Sequence, residues 1–281
     1  MLPSVNPSVQ PSDNPTISPS QAPSDKPSHE PSSNPSDKPS HEPSINPSNK
    51  PSLSSQPSLS SQPSMDHLGF TTTEELKNEV ASYCSDPFNY DNSTYGKIFR
   101  WDVTRLTSME GVFEYQLNCN PSLSNWDVSN VTNCKKMFSG AESFNQDIGH
   151  WNVGKVLDFT EMFLDAKAFN NTIDSWNMSS AEKLRGMFNG AESFNQDINS
   201  WSVSKVTDFS EMFLDAKAFN ITIDSWDVTS STTGFVSMFA GASSFNCSIG
   251  SWDVSRATTF VSDKIRNGNF KRWYPASPYQ T

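Results

Sequence analysis

Residues 194–213 read Phe194-Asn195-Gln196-Asp197-Ile198-Asn199-Ser200-Trp201-Ser202-Val203-Ser204-Lys205-Val206-Thr207-Asp208-Phe209-Ser210-Glu211-Met212-Phe213. The tryptophan here belongs to a series. Trp101, Trp126, Trp151, Trp176, Trp201 and Trp226 are each 25 residues apart, and Trp252 follows after 26. The extra position falls in 229–234, Thr-Ser-Ser-Thr-Thr-Gly. A fixed period of this size marks units that stack on their neighbours.

Other columns keep the same register. Ile98, Leu123, Ile148, Ile173, Ile198, Ile223 and Ile249 precede each Trp by three. Val103, Val128, Val153, Met178, Val203, Val228 and Val254 follow it by two. The Trp-x-Val alternation has strand period. Beyond it, apolar residues return at steps of three and four, as in Val206, Phe209, Met212, Phe213, Ala216 and Phe219, which is the spacing of a helix face. Thr104, Ser129, Gly154, Ser179, Ser204, Thr229 or Ser255 stands at the junction, each a residue type that caps helix starts. Each unit is therefore expected to be a short strand and then a short helix. About seven such coils would form an α/β solenoid whose structural core is the Trp column, since no unit can bury its Trp, Met and Phe alone. Asn120, Asn145, Asn170, Asn195, Asn220 and Asn246 form a further column, expected to be a stacked ladder because Asn bonds readily to nearby main chain. Residues 140–148 recur at 190–198 and residues 161–170 at 211–220, so the duplicated block is 50 residues, or two coils.

Residues 1–65 are chemically different. Of the 19 prolines, 15 lie at or before Pro63, spaced by four up to Pro51 and most of them followed by Ser. With almost nothing apolar to bury, this tract is expected to be disordered, with a polyproline II bias. Stretched, it would reach ~190 Å, at about 3.1 Å per residue. The expected boundaries are 1–65 for this stalk or linker, 66–97 for a helical cap and lead-in, 98–261 for the array and 262–281 for a distal cap or tail. Thr72-Thr73-Glu74-Glu75 opens the cap with capping-box spacing, and Leu76, Val80 and Tyr83 follow on one helix face.

The array segment Phe194 to Thr207, followed by Met212-Phe213, closely resembles the BspA-like bacterial surface-protein repeat, DUF285. Glu75 to Val80 through Tyr95 to Ile98 resembles the lead-in that often precedes such arrays. The resemblance covers about residues 74–260. It implies a leucine-rich-repeat-like solenoid typical of cell-surface or secreted proteins and often implicated in adhesion or protein interaction. It brings no catalytic motif.

With 31 acidic and 20 basic residues, the net charge is −11, which argues against nucleic-acid binding because phosphate neutralisation needs clustered Lys and Arg. No apolar run is long enough for a transmembrane segment. Met1-Leu2-Pro3-Ser4 carries neither a charged nor an apolar leader region, so either export is not of the usual secretory kind or the leader lies outside this chain. Cys84, Cys119, Cys134 and Cys247 lack metal-ligand spacing. Cys119 and Cys134 fall in apolar columns and read as small buried hydrophobes. A Cys84–Cys119 disulfide would clamp the cap to the array in an oxidising compartment.

The residue after each Trp, in order Asp102, Asp127, Asn152, Asn177, Ser202, Asp227 and Asp253, is expected to point outward. Its plain reading is a solvated strand face. Its functional reading is a polar ligand platform, whose oxygens would also suit weak Ca2+ binding. Asn-x-Ser/Thr sequons begin at Asn92, Asn130, Asn170, Asn177, Asn220 and Asn246, those in the ladder being expected to be buried. The pairs Asp158 with Glu161 and Asp208 with Glu211 reflect the duplication more than general-acid chemistry, and the basic-aromatic residues Lys264, Arg266, Lys271, Arg272, Trp273 and Tyr274 read as a distal cap and tail, with partner binding as the functional alternative. No catalytic, metal or cofactor residues are expected. The expectation is a monomeric, non-catalytic cell-surface or extracellular interaction module that binds protein or glycan. A structural wall or matrix component is the alternative, and a hydrolase the outsider.

Overall fold

The computed structural model describes residues 69–90 and 94–259. The Pro-Ser tract, the expected distal cap over 262–281 and the sequon at Asn92 lie outside them. The chain enters through helix α1, Thr73–Ser85. Thr72 sits extended at the N-cap, and its hydroxyl accepts the Glu75 N–H at 3.1 Å. The Glu75 carboxylate reaches back to the Thr71 N–H at 3.0 Å, which closes the capping arrangement one residue early. Thirteen residues make a marginal helix in isolation, so packing has to hold it. Leu76 and Val80 bury the inner face, and a Cys84–Cys119 disulfide ties the last turn to the first coil. Cys119 stands where later coils carry Phe144 and its equivalents, so the bridge occupies a missing ring's place. Phe70, Tyr83, Tyr90 and Tyr95 gather against Trp101 at 5.2–6.4 Å between ring centroids. A single 3-10 turn, Ile98–Arg100, leads into the array.

Within 101–259 the expected strand and helix do not form among the described residues. Parallel pairing is limited to isolated bridges that join Ser108, Asn133, Asp158, Lys183, Asp208 and Gly234 in sequence. These lie beyond the Trp-x-Val segment that the sequence marked as strand. The supposed helix is a run of tight turns with two kinds of backbone donor in alternation. The N–H groups of Cys134, Lys136, Phe138 and Gly140 donate forward to Asp158, Thr160, Met162 and Leu164 of the next coil at 2.6–2.9 Å. Those of Met137, Ser139 and Ala141 donate three residues back, all at 3.1 Å. The same pattern recurs coil after coil. Left-handed backbone at two positions per coil prevents a helix. One column holds Gly111, Lys136, Glu161, Gly186, Glu211 and Ser237, and the other Tyr115, Gly140, Asp165, Gly190, Asp215 and Gly241. A right-handed helix cannot pass through such residues, and the freed amides are satisfied by the neighbouring coil instead.

The apolar columns become ladders of rings. Phe113, Phe138, Phe163, Phe188, Phe213 and Phe239 stack at 5.2–5.7 Å. Phe144, Phe169, Phe194, Phe219 and Phe245 form a second ladder, each 3.9–4.2 Å from its partner in the first. Trp176, Trp201, Trp226 and Trp252 stack at 6.2–6.4 Å with nearly parallel planes. Every Trp of the column is buried. The Nε1–H of Trp126, Trp176, Trp201, Trp226 and Trp252 donates to the carbonyl of the aliphatic residue one coil earlier at 2.8–3.1 Å. Trp151 makes no such bond among the described residues.

Side chains stitch the rims. Asn120, Asn145, Asn170, Asn195 and Asn220 each accept, on Oδ1, the backbone N–H of the next Asn along, ending at Asn246, at 2.8–2.9 Å. These Asn side chains are exposed, contrary to the expected burial of the ladder sequons, because only the oxygen is turned onto the stack. The second left-handed column alternates a large residue with glycine for a steric reason. A Cβ on Gly190 would run into the Asp165 carboxylate, one on Gly241 into that of Asp215 and one on Gly140 into the Tyr115 ring.

Two outcomes follow. Trp176→Phe strands the Ile148 carbonyl and is expected to cost about 1 kcal/mol more than Trp151→Phe, measured by chemical denaturation. Equal losses would contradict the indole bond. Gly190→Ala is expected to lose about 2–4 kcal/mol from left-handed strain and overpacking, with part recovered when Asp165→Ala is added. A neutral Gly190→Ala would remove the steric reading of the alternation.

Candidate functional site

The column after Trp lines one outer edge of the stack, but its atoms have a local task. The Oδ1 atoms of Asp102, Asp127, Asn152, Asn177, Asp227 and Asp253 each accept the backbone N–H two residues on, at 2.9–3.2 Å. Ser202 makes no such bond among the described residues. This is an Asx turn, in which a short carboxylate or amide replaces a backbone carbonyl. The column is a row of corners rather than a strand face. The residues expected to cap helices, such as Ser129 and Ser179, supply the donors for those corners. A second such row is formed by Asn133, Asp158 and Asp208, each accepting from the residue two further on at 2.9 Å.

Those bonds hold the carboxyls below the usual carboxylate range. Hydrogen bonds from the Thr104 side chain and backbone act on Asp102, and those from Ser129 on Asp127. Thr229 does the same for Asp227 and Ser255 for Asp253. Asp158 is half-buried, and burial alone would raise it, but bonds from Thr160 and Lys183 prevail and lower it. The carboxylate pairs that recur with the duplication are likewise engaged. Asp158 meets Lys183 at 3.1 Å, Glu161 meets Lys136 at 3.6 Å and Glu211 meets Arg185 at 2.7 Å. Burial pushes the Cys134 thiol up to about 12, so it is no nucleophile near neutrality. Among the described residues no group of three or more His, Cys, Asp or Glu is placed to hold a metal ion.

A concave feature lies beside the corner row. A shallow groove of about 420 Å3 is lined by Lys205, Ser230 and Arg256 from one column and Glu182, Thr207 and Thr232 from the next. The sequence reading passed over the first of these columns, which runs Arg105, Asn130, Lys155, Ser180, Lys205, Ser230 and Arg256. Its signal is a cation in every second coil, visible only when the chain is aligned in blocks of 50. All four cations are exposed.

A carboxyl whose folded pKa lies below its unfolded value stabilises the fold at higher pH. That stability is lost as pH falls through the folded value. Melting temperature is therefore expected to hold from pH 7 to about 5 and to fall below about 4. Asp127→Asn with Asp227→Asn should leave the value at pH 7 nearly unchanged, since Asn152 and Asn177 already form the same turn, and should shrink the acid loss. An undiminished acid loss would contradict the Asx assignment.

Among the described residues no helix is long and apolar enough to cross a membrane. No curated protein and no solved structure matches the chain. The family described as Mycoplasma protein of unknown function, DUF285, matches residues 82–197 and 171–272, which together span more than half of the sequence. The residues matched include the tail of the cap and every Trp of the stack, and the chain belongs to the DUF285 family.

Proposed function

We propose that this chain is a non-catalytic interaction module of the cell surface or extracellular space. Its stacked array acts as a leucine-rich-repeat-like solenoid, held on the Pro-Ser tract as a stalk. The observation that carries this reading is the groove of about 420 Å3 on the outer columns. Its lining is polar and mostly exposed, while the rings and much of the backbone are committed to the stack. Such a surface can change its outer residues without disturbing the interior, as repeat proteins do when they present a binding face. Its size lies within the range of ligand clefts. The Asx row, whose functional reading is a ligand platform, does not line this groove, and the Oδ1 atoms of its Asp and Asn members are engaged in the turns.

The test is a protein and glycan array probed with the full chain. Selective capture is expected, and Thr207→Ala with Thr232→Ala should weaken it at least about fivefold, by removing two hydroxyl contacts. The same loss from Asp127→Asn with Asp227→Asn alone would move the site to the corner row. No capture of any probe would remove the reading.

A further inference from the structure

The ten basic side chains within 101–259 divide into two sets. Lys135, Lys136, Lys167, Lys183, Arg185 and Lys217 each form an ion pair with a carboxylate of a neighbouring coil, at 2.7–3.6 Å. The remaining four are Arg105, Lys155, Lys205 and Arg256. None of these four is ion-paired among the described residues, and all stand in the one column that borders the groove. Lys155 donates to Asn130 Oδ1 at 2.8 Å, a neutral partner one coil earlier. The corner row thins to Asn152, Asn177 and Ser202 along the middle of the stripe, while Asp127 acts electrostatically on Lys155, Asp102 on Arg105, and Glu182 shares the groove with Lys205.

Parallel-paired coils lie about 4.8 Å apart, so alternate-coil cations recur about every 10 Å and the four span roughly 29 Å. Between them the column offers Asn130, Ser180 and Ser230, and the neighbouring column adds Thr207, Thr232 and the Glu182 carboxylate at the groove. We propose that this stripe binds a linear acidic polysaccharide bearing uronate or sulfate groups. The proposal rests on the interaction reading above and names its partner class. Widely spaced cations separated by hydroxyls and amides suit a chain whose charges are separated by sugar hydroxyls. They suit a nucleic acid poorly, because its phosphates come every 3.4 Å along a strand and call for clustered Lys and Arg. The net charge of −11 does not prevent local attraction, since salt at physiological strength screens charges beyond about 8 Å.

The experiment measures retention of the full chain on immobilised chondroitin sulfate, polygalacturonate, neutral dextran and duplex DNA across a salt series. Salt-sensitive retention on the two acidic polysaccharides, or on one of them, is expected, and the responding resin identifies sulfate or uronate. Lys155→Gln with Lys205→Gln should weaken it about five- to thirtyfold. Lys167→Gln with Lys217→Gln makes the same charge change on the same two coils and should leave it within about twofold, with circular dichroism confirming that both variants fold. Equal loss in the two variants would reduce the effect to net charge and overturn the proposal. So would equal retention on DNA through the same lysines, or a loss seen only on neutralising Lys264, Arg266, Lys271 and Arg272. Capture of a neutral glycan or a protein with no acidic-polysaccharide retention would overturn the stripe while leaving the interaction reading intact. Silence on every probe would remove both.

Discussion

The 25-residue register is the constraint on which everything else rests, because each coil completes the backbone bonding of the one before it. An α-helix satisfies its own amides, and a strand needs only an edge. Here half of the donors in the turn-rich segment are satisfied by carbonyls of the next coil. A coil slipped by one residue would lose those bonds and also misplace its Phe and Trp rings. The penalties are of the same kind, unpaired polar groups and broken packing, and they add. Such an array needs a built beginning. Here α1, the Cys84–Cys119 bridge and the four rings around Trp101 supply it.

The two-coil duplication joins the interior to the surface. The coils that begin at Trp101, Trp151 and Trp201 carry Tyr115, Asp165 and Asp215 in left-handed backbone. They also carry the cations Arg105, Lys155 and Lys205. The intervening coils carry the glycines that make room for those large residues and neutral polar residues in the cation column. One ancestral pair of coils thus set both a packing alternation and a charge alternation. Exposed ion pairs on the other columns are worth at most about 1 kcal/mol each. Their consequence is that the cations outside any ion pair fall along a single line.

Much of the architecture was legible because ring columns and a ladder of Asn survive any local conformation that repeats. The cap was legible through Thr72 and Glu75. The local elements were not. Apolar residues at Val206, Phe209, Met212, Phe213, Ala216 and Phe219 satisfy a helix template, and they satisfy a tightly turning coil equally well. The distinguishing sign was glycine at Gly140, Gly186, Gly190 and Gly241, each inside the supposed helix and each in left-handed backbone. Asp127-Val128-Ser129 read as the edge of a strand, although Asp two residues before Ser is also the signature of an Asx turn. The cation stripe escaped a reading made one coil at a time, since its period is two.

Paired cysteine substitutions probe the register most directly. Ser175, Ser200 and Ser225 are exposed equivalents in consecutive coils. A disulfide requires Cα atoms within roughly 7 Å, and neighbouring coils lie about 4.8 Å apart. Under mild oxidation, Ser175→Cys with Ser200→Cys should form an intramolecular bridge in high yield, and Ser175→Cys with Ser225→Cys, two coils apart, should not. Bridging in the second pair, or its absence from the first, would contradict the stacked register.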